Sequence, residues 1–291
     1  MKTLGTTLIR RYSYVAGYFY ESDPDRLRKQ IEWCYKHELG PGDLPKVSSS
    51  RNRMSLGYVS PHAGYMYSGP IAAHVYYNLA KEGAPRTVII IGPNHTGLGT
   101  AVATMLEGVW VTPLGEVEVD SEITKILVKE SSYLDISPEA LMYEHSIEVQ
   151  LPFLQHIFNS NFKIVPIVMA LQTPETARDL ADALYRIISM GIDVVVIATT
   201  DWTHYEPYED AKRKDLEALK YVENVDPDGL YNYIVTYNVS ACGFGAVMTL
   251  LYLAKKLGYG KAVVLKYANS GDVTGRKDSV VGYAAIRVPI E

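Results

Sequence analysis

At 291 residues the chain is long for one domain and short for two, and no tract reads as a linker, so a single α/β domain over residues 1–291 is expected. The net charge of −5 is spread along the chain, offering nucleic acid or an anionic membrane no patch to bind. No apolar run reaches the roughly 20 residues of a membrane span, the N-terminus reads without a signal peptide, and two cysteines are too few for a disulfide framework; a cytoplasmic protein with free thiols is expected.

Arg10 to Tyr20 is aromatic and mildly alternating, as in an edge strand or an extended arm. Ser22-Asp23-Pro24 caps a helix whose apolar stripe is Leu27, Ile31, Cys34 and Tyr35, which makes Cys34 a buried structural thiol. A Pro/Gly/Ser loop fills Gly40 to Asn52. Leu56 to Val59 then reads as a strand that stops at Pro61 and hands the chain to His62 and Gly64, with helical spacing resuming only after Pro70, from Ile71 to Lys81. His74 lies on that helix face.

Thr87 to Ile91 is a β-branched run suited to a strand buried on both faces, and it breaks at Gly92-Pro93-Asn94-His95. Ala101–Thr104, Gly108–Thr112 and Val117–Val119 suggest a β-meander beside the main sheet, after which Asp120 caps a helix to about Lys129. Tyr143 to Leu154 carries Ile147, Leu151 and Leu154 at helical intervals, which puts His145 and Glu148 on one face at i, i+3.

Phe162–Met169 and Asp193–Ala198 are strands joined by a helix from Thr173 to about Met190, and the second ends in Asp201-Trp202-Thr203-His204. Helices near Ala211–Val222 and Asp226–Tyr237 lead to Cys242-Gly243 and an apolar helix, Ala246–Leu257. That position puts Cys242 against a helix N-terminus, where free amides and the dipole lower a thiol pKa. Ala262–Tyr267 and Val280–Val288 close the chain as strands. The alternation predicts an α/β fold with a mixed, largely parallel central sheet and helices on both faces, its polar loops gathered at the strands' carboxyl ends.

The chemistry-bearing residues at those ends are His62, His95, His145, Asp201, His204 and Cys242. Imidazoles with a thiolate suit a divalent transition metal, and a carboxylate can orient an imidazole through its second nitrogen. None stands in a short metal spacing such as HExxH or CxxC. Taken singly, each has a plain structural reading: a turn cap for His62 or His95, a surface pair with Glu148 for His145, a helix cap at Asp201 with a satisfied His204, a small core residue for Cys242.

Val15-Ala16-Gly17-Tyr18-Phe19-Tyr20, Pro61-His62-Ala63-Gly64-Tyr65, Gly92-Pro93-Asn94-His95, Glu144-His145-Ser146-Ile147-Glu148, Asp201-Trp202-Thr203-His204 and Cys242-Gly243 together resemble the Memo (mediator of cell motility) family over nearly the whole chain. The resemblance implies a fold similar to the LigB-type, class III extradiol dioxygenases. It puts His62, His95 and Cys242 at metal-ligand positions and His204 at the acid/base position with Asp201 beside it, and has His145 line the same pocket. Iron or copper is implied, with zinc not excluded.

Where the dioxygenases complete their ligand set with a carboxylate, this chain has a cysteine, a softer donor that can itself be oxidised, so ring cleavage is not implied. Metal-dependent redox chemistry on a small molecule or peptide is one expectation. Alternatives are a binding module whose pocket takes phosphotyrosine peptides, as animal members of the family suggest, and a metallohydrolase. AMMECR-type and radical-SAM proteins are the partners the resemblance implies.

Overall fold

A computed structural model describes residues 9–290. The strands are β1 (Arg10–Tyr12), β2 (Ser55–Ser60), β3 (Thr87–Pro93), β4 (Val102–Thr104), β5 (Val109–Thr112), β6 (Gly115–Glu118), β7 (Leu134–Ile136), β8 (Lys163–Met169), β9 (Val194–Thr199), β10 (His204–Glu206), β11 (Val263–Asn269) and β12 (Val280–Pro289). The helices are α1 (Pro24–Lys36), α2 (Tyr65–Lys81), α3 (Ser121–Glu130), α4 (His145–Glu148), α5 (Leu151–Phe158), α6 (Pro174–Ser189), α7 (Tyr208–Glu223), α8 (Pro227–Tyr237), α9 (Phe244–Lys256) and α10 (Ser270–Thr274).

Among the described residues a nine-stranded mixed sheet runs β10-β12-β2-β9-β3-β8-β4-β7, with β11 also paired to β12. Parallel pairing holds at its centre, β2-β9-β3-β8, while β12 and β4 add antiparallel flanks. The central strands are buried on both faces, which is why they read as unbroken apolar runs. Alternate side chains serve opposite cores. Ile89, Ile91, Val196 and Ala198 pack with α6 and α9, while Val88, Ile90, Val195 and Ile197 pack with α1, α2 and α5.

Helix α6 shows how local signals and burial agree. Thr173 and Thr176 cap each other's backbone at its start, Pro174 takes the first turn, and Leu180, Leu184 and Ile187 repeat along its buried face. Each such side chain contributes about 2 kcal/mol through removal from water.

Four expectations need correction. Helix α2 begins at Tyr65, before Pro70, because Gly64 caps it and the Tyr65 amide is held by the Phe19 carbonyl at 2.7 Å. Pro70 in its second turn withholds a donor only from the carbonyl of Met66, an exposed residue that water can reach. Strand β4 joins the main sheet beside β8, so the small antiparallel unit is β5-β6, completed by β1 in parallel with β5. Strand β7, with two of its three residues exposed, had no periodicity to announce it.

The fourth correction bears on the site. Tyr143 to Leu154 is not one helix: α4 stops at Glu148 and α5 starts at Leu151. Glu148 turns away from His145 into a buried ion pair with Arg11, and also accepts from the amides of Tyr14 (2.9 Å) and Val15 (3.0 Å) and from Tyr20 Oη (2.6 Å). The segment after β1 is thereby fastened as an arm against α4. Among the described residues no helix is long and apolar enough to cross a membrane.

Candidate metal centre

The carboxyl ends of β2, β9 and β3 lie side by side, and the loops leaving them carry the expected residues to one cavity of about 490 Å³. His62 follows β2, His95 follows β3, Asp201 and His204 follow β9, and Cys242 precedes the Gly243 cap of α9. All five, with His145 at the start of α4, line that cavity together with Phe19, Tyr205 and Tyr283. Close approach of the loops explains two glycines of the sequence motifs. A Cβ on Gly243 would stand 2.1 Å from the Thr199 carbonyl oxygen, and one on Gly92 would stand 2.5 Å from Ser146 Oγ.

One ligand atom each from His62, His95 and Cys242 lies within 4.8 Å of the others, and Cys242 Sγ is 3.1 Å from His62 Nε2. The rings of His95 and His145 stack with centroids 4.4 Å apart, and both stand edge-on to His62. Burial, and then the neighbouring His145 and His95 rings, push the His62 imidazole well below its ordinary range, so it is neutral. Burial, and then the His95 ring, bring His145 down to about 4.

The expectation that a helix N-terminus would activate Cys242 is overturned. Burial and the nearby Asp201 carboxylate push the thiol up, outweighing the Asp201 amide that approaches the sulfur at 3.3 Å. The site therefore sets a thiol beside the neutral imidazole of His62.

Each histidine has its own support. Glu144, which sequence reasoning did not single out, is fully buried; its Oε2 accepts from the His95 amide at 2.6 Å and its Oε1 from His95 Nδ1 at 2.9 Å. Burial opposes its ionisation, but the His95 ring and the Ser146 amide carry it down to about 2. An acceptor-only carboxylate fixes a ring hydrogen on Nδ1 and turns His95 Nε2 towards the cavity. The available signal was its place beside His145 in a motif already singled out, but a lone glutamate before a helix also reads as a cap, and Glu144 does accept from the Ser146 amide at 2.8 Å.

His204 is oriented by Ser240 rather than by Asp201. Its Nδ1 is 2.8 Å from the Ser240 carbonyl, which only accepts, so Nδ1 carries a hydrogen; its amide donates to Ser240 Oγ at 2.7 Å. Asp201 instead accepts from the His62 amide at 2.9 Å, and burial, partly offset by that bond and by His204, raises its carboxyl to about 6. A slightly larger cleft of about 510 Å³ opens among Arg86, Glu118 and Lys163 near the amino ends of β3 and β8, where Lys163 pairs with Glu118 and Arg86 with Glu122. Its charges satisfy one another.

Over residues 11–287 the chain matches the sequence model of Memo-like proteins. It belongs to the Memo family. A MEMO1 family protein of Saccharolobus solfataricus is 54% identical over 282 residues, covering 96% of this chain and 99% of its own length. One from Sulfolobus acidocaldarius is 54% identical over 280 residues, covering 95% and 98%. The crystal structure of an uncharacterized protein from Escherichia coli K12 aligns over 81% of this Memo-family chain and all of its own, with a TM-score of 0.48 and 13% identity.

Proposed function

We propose that this Memo-family chain performs metal-dependent redox chemistry, with iron or copper, or else zinc, held by His62, His95 and Cys242. The observation that carries the reading is the meeting of donors 180 residues apart, Cys242 Sγ and His62 Nε2, at 3.1 Å, with His95 in the same group. Donors on bonds of about 2.0–2.3 Å in a tetrahedral arrangement stand about 3.5 Å from one another, so these residues fit an ion with little movement. The fit extends to the His95–Glu144 pair, the arrangement in which a ligating imidazole is held by a carboxylate.

A bound iron or copper would supply electron transfer and a Lewis-acidic position facing the cavity. The chain's own residues supply the rest. His204 accepts a proton at Nε2, held in place by Ser240, and Asp201, with its carboxyl near 6, exchanges one beside it. His145 and Phe19, whose rings lie 5.0 Å apart, wall one side of the cavity. Imidazole, carboxylate, thiol and aromatic lining favours this reading over the phosphotyrosine alternative, which calls for cationic groups. AMMECR-type or radical-SAM partners and a cytoplasmic setting belong to the same proposal, and co-purification from native cells tests the partners.

Metal analysis of protein purified without chelator or affinity tag is the test. One equivalent of metal, lost in His62→Ala and Cys242→Ala but kept in His204→Ala, is the expected result. A wild-type chain that stays metal-free at neutral pH with iron and copper in excess would end the proposal.

A further inference from the structure

Behind His62 lies a chain of buried polar groups that the proposed chemistry does not use. Tyr76 Oη donates to Gln150 Oε1. The other end of that amide faces three oxygens: the carbonyls of Pro61 (3.0 Å) and Ser146 (3.2 Å), and Thr199 Oγ1 (3.1 Å). Carbonyls only accept, so the nitrogen must face them and the amide has one orientation. Thr199 Oγ1 in turn lies 2.7 Å from His62 Nδ1. Tyr76, Gln150, Thr199 and His62 are all buried, and an unmatched partner in this chain is costly.

The two hydrogens of Gln150 Nε2 face three acceptors, and with one of them on Thr199 Oγ1 the hydroxyl's own hydrogen is free to go to His62 Nδ1. In that arrangement His62 carries its ring hydrogen on Nε2, directed at Cys242 Sγ 3.1 Å away. That is the atom an ion would use. Loading therefore moves the ring hydrogen to Nδ1, and the hydroxyl must turn from donor to acceptor. His95, held by Glu144, needs no such change.

We propose, resting on the metal reading for the loaded state, that Thr199 is a positioning residue serving both tautomers of His62: it donates to Nδ1 in the metal-free chain and accepts from Nδ1 when Nε2 holds an ion. A hydroxyl can do both; valine can do neither.

The test uses the full chain with zinc(II) as the probe, by competition with a chromogenic chelator, and ring nitrogen NMR shifts of His62 with and without zinc. In the wild type the ring hydrogen is expected on Nε2 without zinc and on Nδ1 with it. Thr199→Val should weaken zinc binding about 10- to 100-fold, while Thr199→Ser should stay within about threefold of the wild type. Thr199→Ala is read the same way where the valine variant does not fold. Unchanged affinity in the valine or alanine variant overturns the proposal, as does an Nδ1 hydrogen on His62 in the metal-free wild type. A wild type that takes no zinc counts against the metal reading instead, and the metal-free ring shifts still decide the tautomer.

Discussion

Glu148→Gln tests the clasp between the N-terminal arm and α4. The carboxylate of Glu148 is a buried acceptor for four donors: Arg11, the amides of Tyr14 and Val15, and Tyr20 Oη. Replacing it by an amide removes the charge opposite a guanidinium that is itself fully buried, and turns one acceptor into a donor facing other donors. Arg11 keeps the carbonyls of Leu141 (3.2 Å), Tyr12 (3.1 Å) and Glu144 (2.6 Å), with its guanidinium 4.3 Å from the Trp110 ring. Those contacts put Glu148→Gln at the lower end of the range for breaking a buried pair, about 3 kcal/mol, and Glu148→Ala nearer 5 kcal/mol.

Guanidinium unfolding at pH 7 reads the difference. With a slope of about 5 kcal/mol per molar for a chain of this size, 3 kcal/mol moves the midpoint by about 0.6 M. Arg11→Met with Glu148→Leu should recover most of the loss, because the double variant leaves no buried charge behind. A Glu148→Gln midpoint within about 0.1 M of wild type, or strictly additive single effects, would refute the assignment of this pair as the fastening of the arm.

Glu144 gives a pH signature. Its native value of about 2 lies below the roughly 4.3 of an unfolded glutamate, so the stability it contributes is present above about pH 4.3 and is lost as pH falls towards 2, on the order of 3 kcal/mol in all. Denaturant titrations between pH 2 and 6 should show this slope in the wild type and a flatter one in Glu144→Gln. At Gly282 a Cβ would lie 1.8 Å from Asp215 Oδ2, and the backbone there is held by bonds of 2.9 Å to Trp202 and Thr203. Gly282→Ala should therefore displace Asp215 from the Thr203 amide and hydroxyl, costing about 2–4 kcal/mol in denaturant unfolding, with partial rescue by Asp215→Ala.

The sequence made the central sheet legible because a strand buried on both faces has no choice but a continuous apolar run, as in Thr87 to Ile91 and Val194 to Thr199. The histidines at the ends of those runs could be placed on one edge for the same reason. The partners that orient them could not. Glu144, Thr199 and Ser240 act on rings 49, 137 and 36 positions away, and nothing in local periodicity records such a pairing. Glu148 was misassigned because helical spacing says which residues share a face, and says nothing of a cation arriving from Arg11, 137 positions distant. Cys242 was misjudged because its approach to a helix terminus is written in the chain, whereas its burial beside Asp201 appears only after folding.

Interposing β9 between β2 and β3 fixes the aperture of the centre. Neighbouring strands stand about 4.8 Å apart, so the two anchoring strands begin close to 10 Å from each other, yet the His62 and His95 ring centroids stand 5.2 Å apart. Thr199, at the end of β9, touches the nearer ring, its Oγ1 2.7 Å from His62 Nδ1. A longer residue there would displace the His62 ring. The separation of the two histidines is thus governed by a strand of the buried sheet rather than by the loops around its rim.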